Sequence, residues 1–173
     1  MTAPSCAWRC RWWCCSAAQS TANRIAASSA AKRGETKSLA VSNFSPAQLD
    51  VVLAAAKAGA GAAARPTVNQ LRLAPGEYGR AQTTRLLAEN AKRGVLVQAW
   101  SPLRKALSGG ARDACEAIGR KYGKSAAQVG LRFIADSGAA FTTQTKTKAH
   151  FAEDIDIFDF SLTPEEVATL ARI

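Results

Sequence analysis

Carboxamides, hydroxyls and one indole recur in this sequence directly behind short apolar runs. Ser42 and Asn43 follow "SLAV" (38–41), and Asn69 and Gln70 end or follow "PTVN" (66–69). Trp100-Ser101-Pro102-Leu103 end "VLVQAW" (95–100), and Thr143-Gln144-Thr145-Lys146 end "AAFTT" (139–143). An Asn or Gln side chain offers both a donor and an acceptor to another amide, and a flat indole stacks on a ring. Taken singly these are ordinary loop and cap residues. Converging from four runs, they suit a planar ligand that carries an amide.

What must position them is a series of alternating elements. The four runs have the length and continuous apolar character of strands covered by helices. Between them lie helical patterns. Ser45-Pro46-Ala47-Gln48 opens the first with an N-cap Ser, a Pro at the first helical position and a Gln three residues after the cap; Leu49, Val52, Leu53 and Ala56 then recur at helical spacing. A second runs through "AQTTRLLAENAKRG" and stops at Gly94, a third covers about 111–122 and ends at Gly123. Ser125-Ala126-Ala127-Gln128 caps a fourth carrying Val129, Leu131, Phe133 and Ile134, and Thr163-Pro164-Glu165-Glu166 caps the last. Strands alternating with helices read as parallel β/α units, hence an α/β fold, doubly wound or part of a barrel. No G-x-G-x-x-G follows the first strand, which argues against the dinucleotide fingerprint of the doubly wound kind. In a β/α barrel the working residues sit at the C-terminal strand ends, where the polar clusters lie.

The bulk properties narrow the class. With 173 residues and 47% of them apolar, the chain suits one ordinary domain and excludes general disorder. No apolar run approaches the roughly 20 residues that span a bilayer. The net charge of +10 is unevenly spread: residues 1–34 hold five basic and no acidic residues, the rest 18 basic and 13 acidic, so each part contributes +5. With half the excess in that short stretch and no aromatic–basic platform elsewhere, a specific nucleic-acid binder is not expected. Residues 1–34 also carry three of the four Trp and four of the five Cys. Cys6, Cys10, Cys14 and Cys15 lack zinc-site spacing, so no metal is expected. The segment reads as transit-like or unstructured, with the folded unit at 35–173. Cys115 alone makes no disulfide framework, so a reducing, cytoplasmic setting is expected, with organelle targeting through residues 1–34 as the alternative.

The stretches "VSNFSPAQLD", "PTVNQL", "GVLVQAWSPL", "YGKSAAQVGLRF" and "IDIFDFSLTPEE" resemble, in order and spacing, the C-terminal half of an aldo-keto reductase, over about residues 31–173. The resemblance implies a partial (β/α)8 TIM barrel, about four β/α units corresponding to strands 5–8, and a soluble oxidoreductase that uses NADP, with NAD possible, to reduce aldehydes and ketones. By the same resemblance Ser42, Asn43 and Gln70 hold the nicotinamide carboxamide. Trp100 stacks on the nicotinamide ring where the family often has Tyr, and Ser101 and Leu103 line the pyrophosphate path.

The last strand end departs from the family pattern. Where many members have Lys-Ser at the 2′-phosphate, this chain has Gln144-Thr145; the downstream Arg position is His150, and the acidic pair near the adenine is Glu153-Asp154. Loss of two cations there weakens the NADP preference, because charge-assisted bonds are the strong ones; Lys146 and Lys148 lie close enough in sequence to compensate. The family's catalytic Asp, Tyr, Lys and His belong to its first four units, and nothing in residues 1–34 resembles those units. Tyr78 and Tyr122 read as packing residues, so no catalytic residue is assigned. The expectation is a cofactor-holding half that lacks the tetrad and acts on a small carbonyl substrate only when another half completes it. The alternative is a non-catalytic nucleotide-binding or regulatory subunit that associates with a partner. Open strand edges invite self-association, and Leu39, Val68 and Val97 are expected on the exposed apolar face.

Overall fold

The computed structural model describes Ser29 and residues 33–60 and 65–173. The Cys- and Trp-rich stretch and its transit-like reading fall, through residue 28, outside the described residues. Four parallel strands, β1 (Leu39–Ser42), β2 (Pro66–Arg72), β3 (Leu96–Trp100) and β4 (Ala140–Phe141), pair in sequence order. Sequential order without a reversal is the order of barrel staves; a doubly wound sheet turns back at a switch point. Both outer edges of the sheet, on β1 and β4, are unpaired among the described residues.

Helices α1 (Pro46–Ala55), α2 (Arg80–Ala91), α4 (Gly109–Tyr122), α5 (Ala126–Asp136) and α7 (Pro164–Leu170) fall where the periodicity and caps place them. Ser45 with Gln48, Ser125 with Gln128 and Thr163 with Glu166 each form a complete capping box. Each box satisfies two backbone N–H groups that the first helical turn leaves open, a contribution of about 1 kcal/mol per cap. α4 ends at Gly123, at φ +67°, a left-handed stop that glycine adopts without steric cost.

Several boundaries differ from the sequence reading. β2 continues to Arg72, three residues past the expected end, and β4 shrinks to two residues. After Phe141 one more ladder bond forms, Thr142 N–H to the Ala99 carbonyl at 2.9 Å, before the chain turns away. Two short helices, α3 (Leu103–Ala106) and α6 (Lys148–Ile155), occupy segments that read as loops, and a π-turn at Ala56–Ala60 follows α1.

Alternation assigns the two sheet faces. Val97 and Ala99 point to the helices and are buried with Leu73, Cys115, Val129, Phe133, Ile134 and Leu170. Val41 joins a smaller core with Phe44, Leu49 and Val95. The opposite face carries Ser42, Gln70, Arg72, Leu96, Gln98 and Trp100 and meets no other layer among the described residues. Val97 therefore does not belong to the exposed apolar face: Leu96 does, at 46% exposure, while Leu39 and Val68 are half-buried. A shift of one residue along a strand exchanges its faces, and a continuous apolar run gives no sign of the phase.

Asn69, which the sequence groups with Gln70 on the rim, lies on the helix side and is fully buried. Its amide donates to the Phe44 carbonyl at 2.9 Å and to Asn90 Oδ1 at 3.0 Å, and its oxygen accepts from the Phe44 N–H at 3.3 Å. It is a clamp joining the end of β1, β2 and α2. No helix among the described residues is long and apolar enough to cross a membrane.

Candidate functional site

The C-terminal ends of β1 and β3 both leave the sheet through a left-handed residue that is not glycine: Asn43 at φ +58° and Ser101 at φ +53°. Asn tolerates this conformation; Ser does so at a cost of about 1 kcal/mol. At Asn43 the turn keeps a last ladder bond, its N–H to the Gln70 carbonyl at 2.9 Å, and brings Ser45 into position as the cap of α1. At Ser101 it turns the chain into α3, with Arg104 N–H on the Ser101 carbonyl at 3.2 Å.

These turns gather the first group of expected residues into one hydrogen-bonded chain. The Trp100 indole N–H donates to Asn43 Oδ1 at 3.3 Å, the Asn43 amide donates to Ser42 Oγ at 3.2 Å, and Ser42 Oγ donates to the Gln70 carbonyl at 3.3 Å. Gln70 Nε2 in turn donates to Gln98 Oε1 at 2.9 Å, on the neighbouring strand. Ser42 is buried, Gln70 and Trp100 are half-buried, and Asn43 is exposed at the rim. Arg72, one layer further along β2 and paired in register with Trp100, places its guanidinium carbon 4.6 Å from the centroid of the indole. Gln98 and Arg72 were not singled out from sequence; both sit two residues from an expected position on the same strand, which is the strand-face signal that identifies them.

The second group lines a cleft of about 960 Å³ on the other side of Trp100. Ser101, Leu103, Gln144, Thr145, His150, Glu153 and Asp154 all face it, as does the capped start of α5 at Ser125, Ala126 and Ala127. α6 presents His150, Glu153 and Asp154, and is itself fixed by Thr147, whose Oγ1 accepts from the His150 N–H at 3.2 Å. The Ser125 hydroxyl donates to Glu153 Oε1, joining α6 to the cap of α5. Burial raises the Asp154 carboxyl above its ordinary value; Glu153 adds to the rise, and His150 opposes it.

Lys146 and Lys148 are exposed and lie outside the lining of the cleft. The strong bases in the cleft are Arg104 and Arg112, which the sequence reading did not single out. Arg112 is held by Glu116 at 2.7 Å, whereas Arg104 takes no carboxylate partner among the described residues. Their signal in the sequence is weak: both sit on exposed helical turns whose direction depends on the placement of α3 and α4. No group of three or more His, Cys, Asp or Glu able to hold a metal ion occurs among the described residues.

Neither tyrosine reaches the cleft. The Tyr122 hydroxyl donates to Glu166 at 2.7 Å, which pushes its acidity down, and Tyr78 packs against the main core, where burial does the same.

The sequence profile of the Aldo/keto reductase family matches residues 25–173. An NAD(P)H-dependent 6′-deoxychalcone synthase of Glycine max is 34% identical over 148 residues, covering 82% of this chain and 44% of that protein. An aldo/keto reductase structure from Brucella melitensis superposes with a TM-score of 0.67 at 29% identity, over 83% of this chain and 51% of its own. An aldo-keto reductase of Bombyx mori solved in complex with NADP gives a TM-score of 0.67 at 30% identity, over 83% and 46%. The chain spans about half the length of the proteins it matches.

Proposed function

The chain belongs to the aldo-keto reductase family, and from that premise we propose that residues 35–173 are the NADP(H)-holding half of a carbonyl reductase. Ser42, Asn43 and Gln70 orient the carboxamide. Trp100 covers one face of the nicotinamide ring and keeps water from it. Ser101 and Leu103 flank the pyrophosphate, and Gln144, Thr145, His150, Glu153 and Asp154 surround the adenosine end, with Arg104 as the available cation. When bound, NADP(H) supplies a hydride to a carbonyl carbon.

The observation that carries the reading is the convergence of Ser42, Asn43, Gln70 and Trp100 at one rim, with Trp100 also lining the cleft. It joins an amide-recognising cluster to a cleft of about 960 Å³ through one indole. The residues fit the cofactor at both ends in chemistry: donors and acceptors for an amide on the strand ends, then a polar cleft whose Arg104 takes no carboxylate among the described residues. The fit is weaker for a 2′-phosphate. Arg104 and Arg112 share the cleft with Glu116, Glu153 and Asp154, so the preference for NADP over NAD is expected to be modest.

A second reading, a nucleotide-binding subunit without catalysis of its own, is favoured by the tyrosines. A general acid must reach the substrate and give up its proton readily. Tyr78 and Tyr122 lie outside the cleft and are both made weaker acids by their surroundings. The chain then associates with a partner and serves as its nucleotide-binding or regulatory subunit.

Calorimetric titration of NADPH and NADH into the chain tests both readings. Saturable binding of NADPH, weakened about tenfold by Gln70→Ala, supports the cofactor site; no saturable binding of either nucleotide sinks it. Binding without oxidation of NADPH in the presence of an aromatic aldehyde is the outcome both readings give for the chain alone, and turnover rejects the second.

A further inference from the structure

We propose that Arg72 is a positioning residue that holds the Trp100 indole on Asn43, in the place an incoming carboxamide needs, so that the nicotinamide enters only when the indole swings away. The inference rests on the cofactor reading above. Its geometry begins with register: Arg72 and Trp100 are direct partners on β2 and β3 and project from the same open face. The indole is held from two directions. Its N–H reaches across to Asn43 beyond β1, at 3.3 Å, and its ring lies 4.6 Å from the Arg72 guanidinium carbon. The Asn43 oxygen that accepts the indole N–H is the acceptor that an amide N–H₂ would use.

The alternative position for Arg72 is built into its other partner. Arg72 Nη1 lies 3.3 Å from Glu77 Oε1, and the Glu77 side chain is only 10% exposed. Among the described residues, Arg72 Nε and Glu77 Oε2 are both buried and without a partner. One is a donor and the other an acceptor, but Nε–H points away from the Nη1 edge, so a two-pronged contact with Glu77 requires the guanidinium to turn over and present its Nε and Nη2 edge. In that turned-over arrangement both orphaned atoms are satisfied, and the Nη1 edge no longer faces Glu77. With its indole on Asn43 and beneath Arg72, the site is in its closed position, and the apparent affinity for a nicotinamide is lowered by the fraction of molecules that occupy it.

The test compares NADPH with adenosine 2′,5′-bisphosphate, which has the adenosine end and no nicotinamide, by calorimetry on the full chain. Arg72→Met removes the cation from the indole and is expected to tighten NADPH binding about fivefold, the size of a part-exposed cation–π contact, while leaving the bisphosphate unchanged. Arg72→Gln carries the same expectation should the Met variant fold poorly. In the wild-type chain the Trp100 indole N–H resonance, assigned by its loss in Trp100→Phe, is expected to shift with NADPH and not with the bisphosphate. Unchanged or weaker NADPH binding in both Arg72 variants, with the bisphosphate still bound, overturns the latch and leaves the cofactor site standing. Failure of both ligands to bind any form overturns the cofactor site and the latch together.

Discussion

Asn43 serves the backbone and the site with one side chain: it tolerates φ +58°, and its carboxamide bonds Trp100 and Ser42. That double use explains why Ser42, Asn43 and Trp100 were legible in the sequence. A strand end that turns straight into a capped helix needs such a residue, and its polarity is visible without knowing the fold. Arg72 and Arg104 were not legible, because what they touch depends on strand register and helix placement. Asp154 gives a residue-scale prediction. Its carboxyl is raised above 3.8, first by burial, so the folded state binds its proton more tightly than the unfolded chain does. Its stabilising contribution is therefore present below that value and is lost as the pH rises through the folded one, leaving a buried charge that costs stability at neutral pH. Asp154→Asn is expected to melt at a higher temperature than wild type at pH 7, with the gap closing towards pH 4. A lower melting temperature at pH 7 would refute the assignment.

Among the elements, the helices were the more legible. Ser45, Ser125 and Thr163 announce their boxes in four residues each, and those signals are local. The strands were legible as runs but not as faces, which is why Val97 was expected where Leu96 stands and why Asn69 was placed on the rim. Apolar strands buried against helices carry no period-2 mark. Asn69 supplies the prediction at this scale. Three hydrogen bonds from one buried carboxamide join β1, β2 and α2, and Asn69→Ala strips Phe44 and Asn90 of their partners. A loss of about 2–3 kcal/mol in urea unfolding is expected. Less than half of that would mean the clamp is redundant. Asn69→Ala combined with Asn90→Ala is expected to cost less than the sum of the two single changes, because the pair is shared.

At the scale of the molecule the sheet is a row of staves with, among the described residues, an uncovered face and two unpaired edges. Such edges pair with whatever strand they meet. Sedimentation velocity is expected to show association that grows with concentration, and Leu96→Lys, which puts a charge on the open face, is expected to shift the population towards monomer; a single monomeric species throughout would count against the exposed face. The spacing of the staves has a consequence in time. Ser42 pairs with Gln70 and Gln70 with Gln98, each 28 positions away, and Gln98 pairs with Ala140 across 42. No sheet contact is local, whereas every capping box closes within four residues. Loop closure must precede each pairing, so the capped helices form early and the sheet late. While a ribosome is still delivering β4, the outer edge of β3 waits with its hydrogen-bonding groups open. The last stave, two residues long, closes the slowest step with the weakest grip.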